Sequence, residues 1–107
     1  MSGVNKVFLM GNIGNEPELH YLANDVAVLR FHLATNEIIT KNGEQVQIAD
    51  WHNIVMWRDL AREAHLLLRK GSLVYLEGKL TTRSIDDKKT GTKKYVTDVI
   101  ANRFQTF

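Results

Sequence analysis

Two tryptophans six residues apart are the side chains whose type and spacing most directly suggest binding chemistry. Trp51 and Trp57 belong to the stretch DWHNIVMW at residues 50–57. Side chains alternate between the faces of a β-strand, so both tryptophans would share one face and the apolar Ile54 and Met56 the other. At ~3.3 Å per residue the two rings would lie about 20 Å apart. They either pack beneath a second layer of the protein or form platforms for separate flat ligands.

Basic side chains concentrate in the second half of the chain. Residues 1–57 carry three Lys or Arg against six acidic residues, whereas residues 58–107 carry eleven against six. A single lysine is typical of a solvated surface, so the clustering is the informative observation, and it suits a polyanionic partner. The clustered residues are Arg58, Arg69, Lys70, Lys79, Arg83, Lys88, Lys89, Lys93 and Lys94.

The composition argues against several other functions. The chain has no cysteine, and its four histidines lack ligand spacing, so we expect no disulfide, no metal and no cofactor. His52 has one carboxylate close to it in sequence, that of Asp50, which does not make a catalytic constellation, so we expect no enzyme activity. No apolar run is long enough for a membrane span or a secretory segment. We therefore expect one cytoplasmic domain over residues 1–107.

Hydrophobic periodicity predicts five strands and one helix. The helix, at 59–71, has Asp59 as a plausible N-cap and Gly71 as a C′ residue. The Asn-Gly pair within residues 41–44 predicts a chain reversal. One helix between the third and fourth of five strands is the layout of an OB-fold, a Greek-key β-barrel in the all-β class. The strands are predicted at 4–12, 26–36, 50–57, 72–83 and 93–104.

The first strand carries apolar side chains on both faces, among them Val4 and Phe8. On an edge strand this is a liability, which pairing with a second subunit would relieve. A central barrel strand would show the same pattern, so the residues alone leave both interpretations open.

Five stretches together resemble one known family. GVNKVFLMGNIGNEPELHYLAND, VAVLRFHLATNE, DWHNIVMWRDLARE, LLRKGSLVYLEGKLTTR and KKYVTDV occur in the order and at the separations seen in bacterial single-stranded-DNA-binding proteins, from Gly3 to about Val99. The resemblance implies an OB-fold homotetramer that wraps single-stranded DNA without sequence preference. It also implies work on the nucleoid in DNA replication, recombination and repair.

The resemblance carries individual roles onto matching positions. Trp51 matches a stacking tryptophan and Trp57 a stacking phenylalanine, while His52 matches a residue at the subunit interface. The basic positions near the DNA path are matched by Lys6, Lys70 and Arg83, and we expect Lys88 and Lys89 of the charged loop to add to them.

The chain departs from the family pattern at several of these positions. Two further family tryptophans fall on Ile39 and Ile85, which lack a π-face, so we expect weaker DNA binding per subunit. Arg58 and Lys79 lie beside two of the positions where a basic family residue is missing, and we expect them to compensate. The missing basic residues fall on Asn53, Asp59 and Thr81.

The acidic, glycine-rich tail that recruits replication and repair proteins in the family is absent from this sequence, which indicates either the DNA-binding core alone or a short natural form.

Two alternative functions stay open beside the binding of single-stranded DNA. A primosome-type OB-fold accessory protein, acting mainly through protein contacts, would also fit. A small nuclease on the same fold would need a carboxylate or histidine constellation that the sequence does not display.

Overall fold

The computed structural model describes residues 2–107, and within them six strands and one helix. Five strands close into a barrel in the order β1-β5-β6-β4-β3-β1, and β2 extends the sheet beyond β3. The helix joins the third and fourth barrel strands, so the OB-fold class predicted from the sequence is confirmed. The elements are β1 (Val7–Ile13), β2 (Glu18–Tyr21), β3 (Ala27–Lys41), β4 (Glu44–Trp57), α1 (Arg58–Leu67), β5 (Leu73–Asp87) and β6 (Thr92–Thr106).

The long hairpin between β3 and β4 was only partly predicted. Asn42 and Gly43 both have positive φ, 53° and 80°, as the two central residues of a type I′ turn require, so the predicted reversal is confirmed. The predicted strand ends at 36 and 50 were wrong, because pairing continues without a break to Lys41 opposite Glu44. This part of the hairpin extends beyond the barrel and lacks the core periodicity on which the prediction relied.

The short strand β2 was missed by the sequence analysis. It pairs with β3 along its whole length, from Glu18 opposite Arg30 to Tyr21 opposite Ala27. Four residues carry too little alternation for a strand to be predicted from pattern alone.

The helix ends differ from the predicted ones. Trp57 takes the N-cap position with no side-chain cap, so Asp59 as N-cap was wrong; its carboxylate instead pairs with Arg62 at 2.8 Å within the first turn. The helix ends at Leu67 with Leu68 in the C-cap position, so the prediction of Gly71 as the C′ residue was also wrong. Gly71 does have a positive φ, 90°, but it serves the following turn. Among residues 2–107 no helix is long and apolar enough to cross a membrane.

The core lies between the barrel wall and α1. Alternate residues of β3 and β4 point inward, and the helix adds small side chains that allow close approach. One hydrophobic cluster results, whose members include Leu29, Phe31, Leu33, Ile54, Met56, Ala61, Ala64, Val74, Leu76 and Val99. Because these positions face inward, the residues between them on each strand lie on the outer side of the barrel wall, where Val28, Val55 and Asp98 are nevertheless buried.

Closure of the barrel depends on a close approach at Gly11. β1 pairs with β5 over most of its length and meets β3 at Asn12 and Ile13. A Cβ at Gly11 would overlap the carbonyl oxygen of Ala34 on β3 and lie 2.9 Å from its carbonyl carbon. Both are backbone atoms, which cannot move aside without distorting the strand.

Gly11→Ala is therefore expected to lower the free energy of unfolding by about 1–3 kcal/mol, as overpacking usually does. Urea denaturation at one fixed protein concentration measures this. Gly3→Ala is the matched control, since no atom lies within 4 Å of a Cβ there. Equal midpoints for the two variants would contradict this description of the closure.

Candidate nucleic-acid interface

Four barrel strands align their outward side chains into rows, and we call this surface the outer face. Cross-strand partners in a sheet point to the same side, so the strand register defines its composition. Asn53 on β4 pairs with His32 on β3 and with Asp98 on β6, which in turn pairs with Thr81 on β5. The neighbouring row consists of Arg30, Val55, Ile100 and Lys79. Val55 in this row is buried and Ile100 half-buried, so its exposed members are Arg30 and Lys79.

Trp51 lies on this outer face with its ring largely in solvent. The residue is 60% exposed, although it is one of the largest apolar side chains in the chain. Its ring covers the backbone of Gly14, where an added Cβ would lie 2.6 Å from Cη2. The loop is fixed beneath the ring, because Gly14 N–H donates to the His32 carbonyl at 2.9 Å and Asn15 Oδ1 accepts from the His32 N–H at 2.9 Å. The ring is thus supported on one side, as a stacking platform requires.

A groove runs from Trp51 across the outer face. A cavity of about 390 Å³ is bounded by Gly14, His32, Trp51 and Asn53, and a second of about 310 Å³ shares His32 and Asn53 with it. We call the two together the outer groove. Within residues 2–107 no three His, Asp or Glu side chains gather closely enough to hold a metal ion. The remaining side chains around the second cavity are Asn15, Glu18, Arg30, Phe31, Ile54, Arg83 and Asp98.

Trp57 lies on the same pleat face as Trp51, at the other end of the β4 segment that carries both. It is half-buried and pairs with Val28 of β3, which is itself buried. Arg58 follows it with a φ of 59°, an uncommon conformation for a residue other than glycine, at the point where the strand turns into α1. Trp51 and Trp57 therefore share a face, but Trp51 presents more of its ring.

The basic residues predicted from the sequence divide into two groups. Lys79 and Arg83 project from β5 on the outer face, and Arg83 Nε donates to the buried Asp98 carboxylate at 2.8 Å. Lys6 borders a cavity of about 160 Å³ together with Lys79, next to the outer face. Lys70 lies in the turn after α1, where its backbone N–H donates to the Glu16 carboxylate at 3.1 Å, next in sequence to the groove residue Asn15. Lys88 and Lys89 lie in the turn of the β5–β6 hairpin and do not border either cavity of the groove.

The two isoleucines at family tryptophan positions lie on different faces. Ile85 is 41% exposed and shares its pleat face with Arg83, two residues earlier on β5. Ile39 is five residues from Ala34, the partner of Trp51, so an unbroken register places it on the opposite pleat face. The roles of Ile39 and Ile85 in binding stay predictions.

The proposed interface residues lie on or next to β1 and on the core side of β4, and Phe8 borders the same cavity as Lys6 and Lys79. On β1, Phe8 points outward and is 60% exposed, and Val4 precedes the strand in solvent. His52 is half-buried on the core side of β4, where its Nε2 and the Thr35 Oγ1 share a hydrogen bond of 2.9 Å. This bond lies within the subunit, and the interface role of His52 stays a prediction.

Arg30 and His32 are groove residues that the sequence analysis did not single out. Their alternation with the buried Leu29, Phe31 and Leu33 indicated an outward face, but not what would lie beside it. The parallel pairing of β4 with β6, remote in sequence, creates the groove.

Comparison with known proteins identifies the class. The chain belongs to the single-strand binding protein family, whose model matches residues 4–107. It is 44% identical over 104 residues to single-stranded DNA-binding protein 1 of Chlorobaculum tepidum, covering 96% of this chain and 64% of that protein. It is also 42% identical over 103 residues to the single-stranded DNA-binding protein of Neisseria meningitidis serogroup A, covering 95% and 59%. The chain thus spans about three fifths of the length of these relatives, and the family resemblance is confirmed.

Gly14→Ala is expected to displace the Trp51 ring from its support. In a Trp57→Phe background Trp51 is the single tryptophan, so its emission and near-ultraviolet circular dichroism report the ring directly. We expect both spectra to change, with a stability loss of about 1 kcal/mol or less because the exposed ring can rotate away. Gly3→Ala in the same background serves as control, and unchanged spectra in Gly14→Ala would refute the contact.

Proposed function

We propose that this chain binds single-stranded DNA without sequence preference and protects it during replication, recombination and repair, on the nucleoid in the cytoplasm. The observation that carries the proposal is the exposed ring of Trp51. It rests on Gly14 at one end of a groove flanked by Arg30 and Arg83. Membership of the single-strand binding protein family and the names of the two relatives support the same function.

Aromatic stacking accounts for the lack of sequence preference. Every base has a π-face, and stacking on an aromatic side chain contributes roughly 1–3 kcal/mol per base. Six residues of extended strand separate Trp51 from Trp57, so at about 20 Å the rings would hold different nucleotides. A single-stranded DNA whose bases stack on both tryptophans would follow the outer face of β4.

Basic side chains around that path supply the phosphate contacts. Arg30, Lys79 and Arg83 border the outer face, and Lys6 extends the positive region past Lys79. Each phosphate neutralised releases counterions, which lowers the affinity as salt rises, with a slope of about −0.7 per contact in single strands. Binding through this face is therefore expected to weaken visibly with salt.

Trp51→Ala tests the stacking role. Losing one stacked base of roughly 1–3 kcal/mol would weaken binding to labelled oligo(dT) by roughly 5- to 150-fold at fixed low salt, measured by fluorescence anisotropy. Tyr95→Ala is a control of similar size and exposure, since Tyr95 is 72% exposed and faces away from Arg83 on the β5–β6 hairpin. A Trp51→Ala protein that is folded and binds as tightly as the parent would exclude this function for the outer face.

Lys79→Gln tests the phosphate contacts. We expect the slope of log affinity against log salt to become shallower by about 0.7, because one phosphate contact is lost. Lys41→Gln removes the same charge from the tip of the β3–β4 hairpin, off the groove, and should leave the slope nearly unchanged. Equal slopes for the two variants would place the DNA elsewhere.

We further propose that the chain assembles as a homotetramer through β1, with Val4, Phe8 and His52 at subunit contacts. Between Val7 and Met10 the strand pairs with β5 on one side, while its contact with β3 begins at Asn12. Phe8 and Met10 project from this segment at 60% and 56% exposure. An open backbone edge beside exposed apolar side chains favours pairing with a second copy.

Phe8→Asp tests the assembly. The parent is expected to sediment at four times the 12.2 kDa subunit mass at micromolar concentration, and Phe8→Asp at a lower mass. Leu66→Asp is the matched control, since it places the same charge on an apolar residue of α1 that is 74% exposed. A Phe8→Asp protein with the parent mass would exclude β1 as the interface.

A further inference from the structure

A buried aspartate lies in the middle of the outer face. Asp98 is 3% exposed and sits between Asn53 of β4 and Thr81 of β5 in the row that crosses the groove. A carboxylate beneath a phosphate-binding surface repels the ligand, so on charge alone it should weaken binding. Its position therefore calls for a different explanation.

The contact between Asp98 and Arg83 explains why a carboxylate lies in the outer face. Asp98 Oδ2 accepts from Arg83 Nε at 2.8 Å, and the two side chains differ in burial, at 5% and 45% exposure. The bond uses Nε, so the guanidinium is held from beneath while its terminal nitrogens have no partner among residues 2–107. Those nitrogens present the fork of donors that binds phosphate oxygens.

Stability does not account for the pair. Within the described residues Asp98 Oδ1 is buried without a hydrogen-bond partner, which costs free energy. Apolar side chains of similar volume often stabilise a protein at least as well as a buried ion pair does. The feature of this ion pair that needs an explanation is its geometry, in which a buried carboxylate holds a half-exposed guanidinium.

We propose that Asp98 is a positioning residue for DNA binding. It fixes the Arg83 guanidinium at the edge of the outer groove. Because the Arg83 rotamer is already fixed, binding the phosphate backbone of a DNA strand stacked on Trp51 costs no further side-chain entropy at this residue. This inference rests on the proposed function, because it assigns Asp98 a part in the same interface.

The proposal predicts that removing the negative charge of Asp98 weakens DNA binding, whereas charge alone predicts tighter binding. Asp98→Asn removes a negative charge from the binding face while keeping the side-chain shape, and simple electrostatics would make binding tighter. Replacing the charged anchor with a neutral amide, which accepts a weaker hydrogen bond, is expected to weaken binding to oligo(dT) roughly three- to tenfold at fixed low salt, as loss of one charge-assisted contact would. Asp87→Asn is the matched control: Asp87 pairs with Lys94 at 3.8 Å on the same hairpin, and its loss should leave affinity equal or slightly higher.

Two further variants separate positioning from folding. Adding Arg83→Gln to Asp98→Asn should weaken binding less than twofold further, because Arg83 without its anchor contributes little. Arg83→Lys keeps both charges but has neither the Nε that Asp98 holds nor the fork of terminal nitrogens, so it should bind as weakly as Asp98→Asn. Thermal unfolding of each variant, measured in parallel, shows which proteins are folded.

The outcomes are distinguishable. A parent protein that fails to bind oligo(dT) would overturn the proposed function itself. A parent that binds, together with a folded Asp98→Asn protein that binds equally or more tightly, would overturn the positioning role. If Asp98→Asn does not fold, Arg83→Lys decides: parent-like affinity overturns the role, and a three- to tenfold loss supports it.

Discussion

Alternation of side chains around a closed barrel is the constraint on which the rest of this structure depends. Once β1 meets β3 beside Gly11, five strands share one interior, and each strand must turn every second residue inward. The buried Leu29, Phe31 and Leu33 therefore force Arg30 and His32 outward. The outer face consists of the positions that the core leaves over, and the core fixes the backbone from which its side chains project.

Under the proposed function, the outer face combines two kinds of contact that tolerate any DNA sequence. Trp51 offers a π-face, and Arg30, Lys79 and Arg83 offer charge to phosphates that recur with every nucleotide. Rigid elements position both kinds: the tryptophan rests on Gly14, and Arg83 on Asp98. Because the Trp51 ring and the Arg83 guanidinium are held in place before any ligand binds, the proposed DNA contact through these two side chains has a small ordering cost.

The sequence predicted the fold class because the barrel strands and α1 carry strong periodicity, and it predicted the shared face of Trp51 and Trp57 because alternation is a local property. It missed β2, the extensions of the long hairpins and the helix caps, where pairing between strands replaces core burial as the determining factor. The groove beside Asn53 was out of reach for another reason. It depends on the parallel pairing of Asn53 with Asp98, residues remote in sequence that no local pattern connects.

The most direct test of the central claim uses intrinsic fluorescence. Trp57→Phe leaves Trp51 as the single tryptophan, and Trp51→Phe leaves Trp57. Each protein is titrated with unlabelled oligo(dT) at two salt concentrations. If DNA stacks along the outer face, Trp51 emission is quenched strongly and saturably, less so at high salt, and half-buried Trp57 is quenched to a smaller extent. Binding without quenching of Trp51 would contradict the account, because the DNA would then lie on another surface.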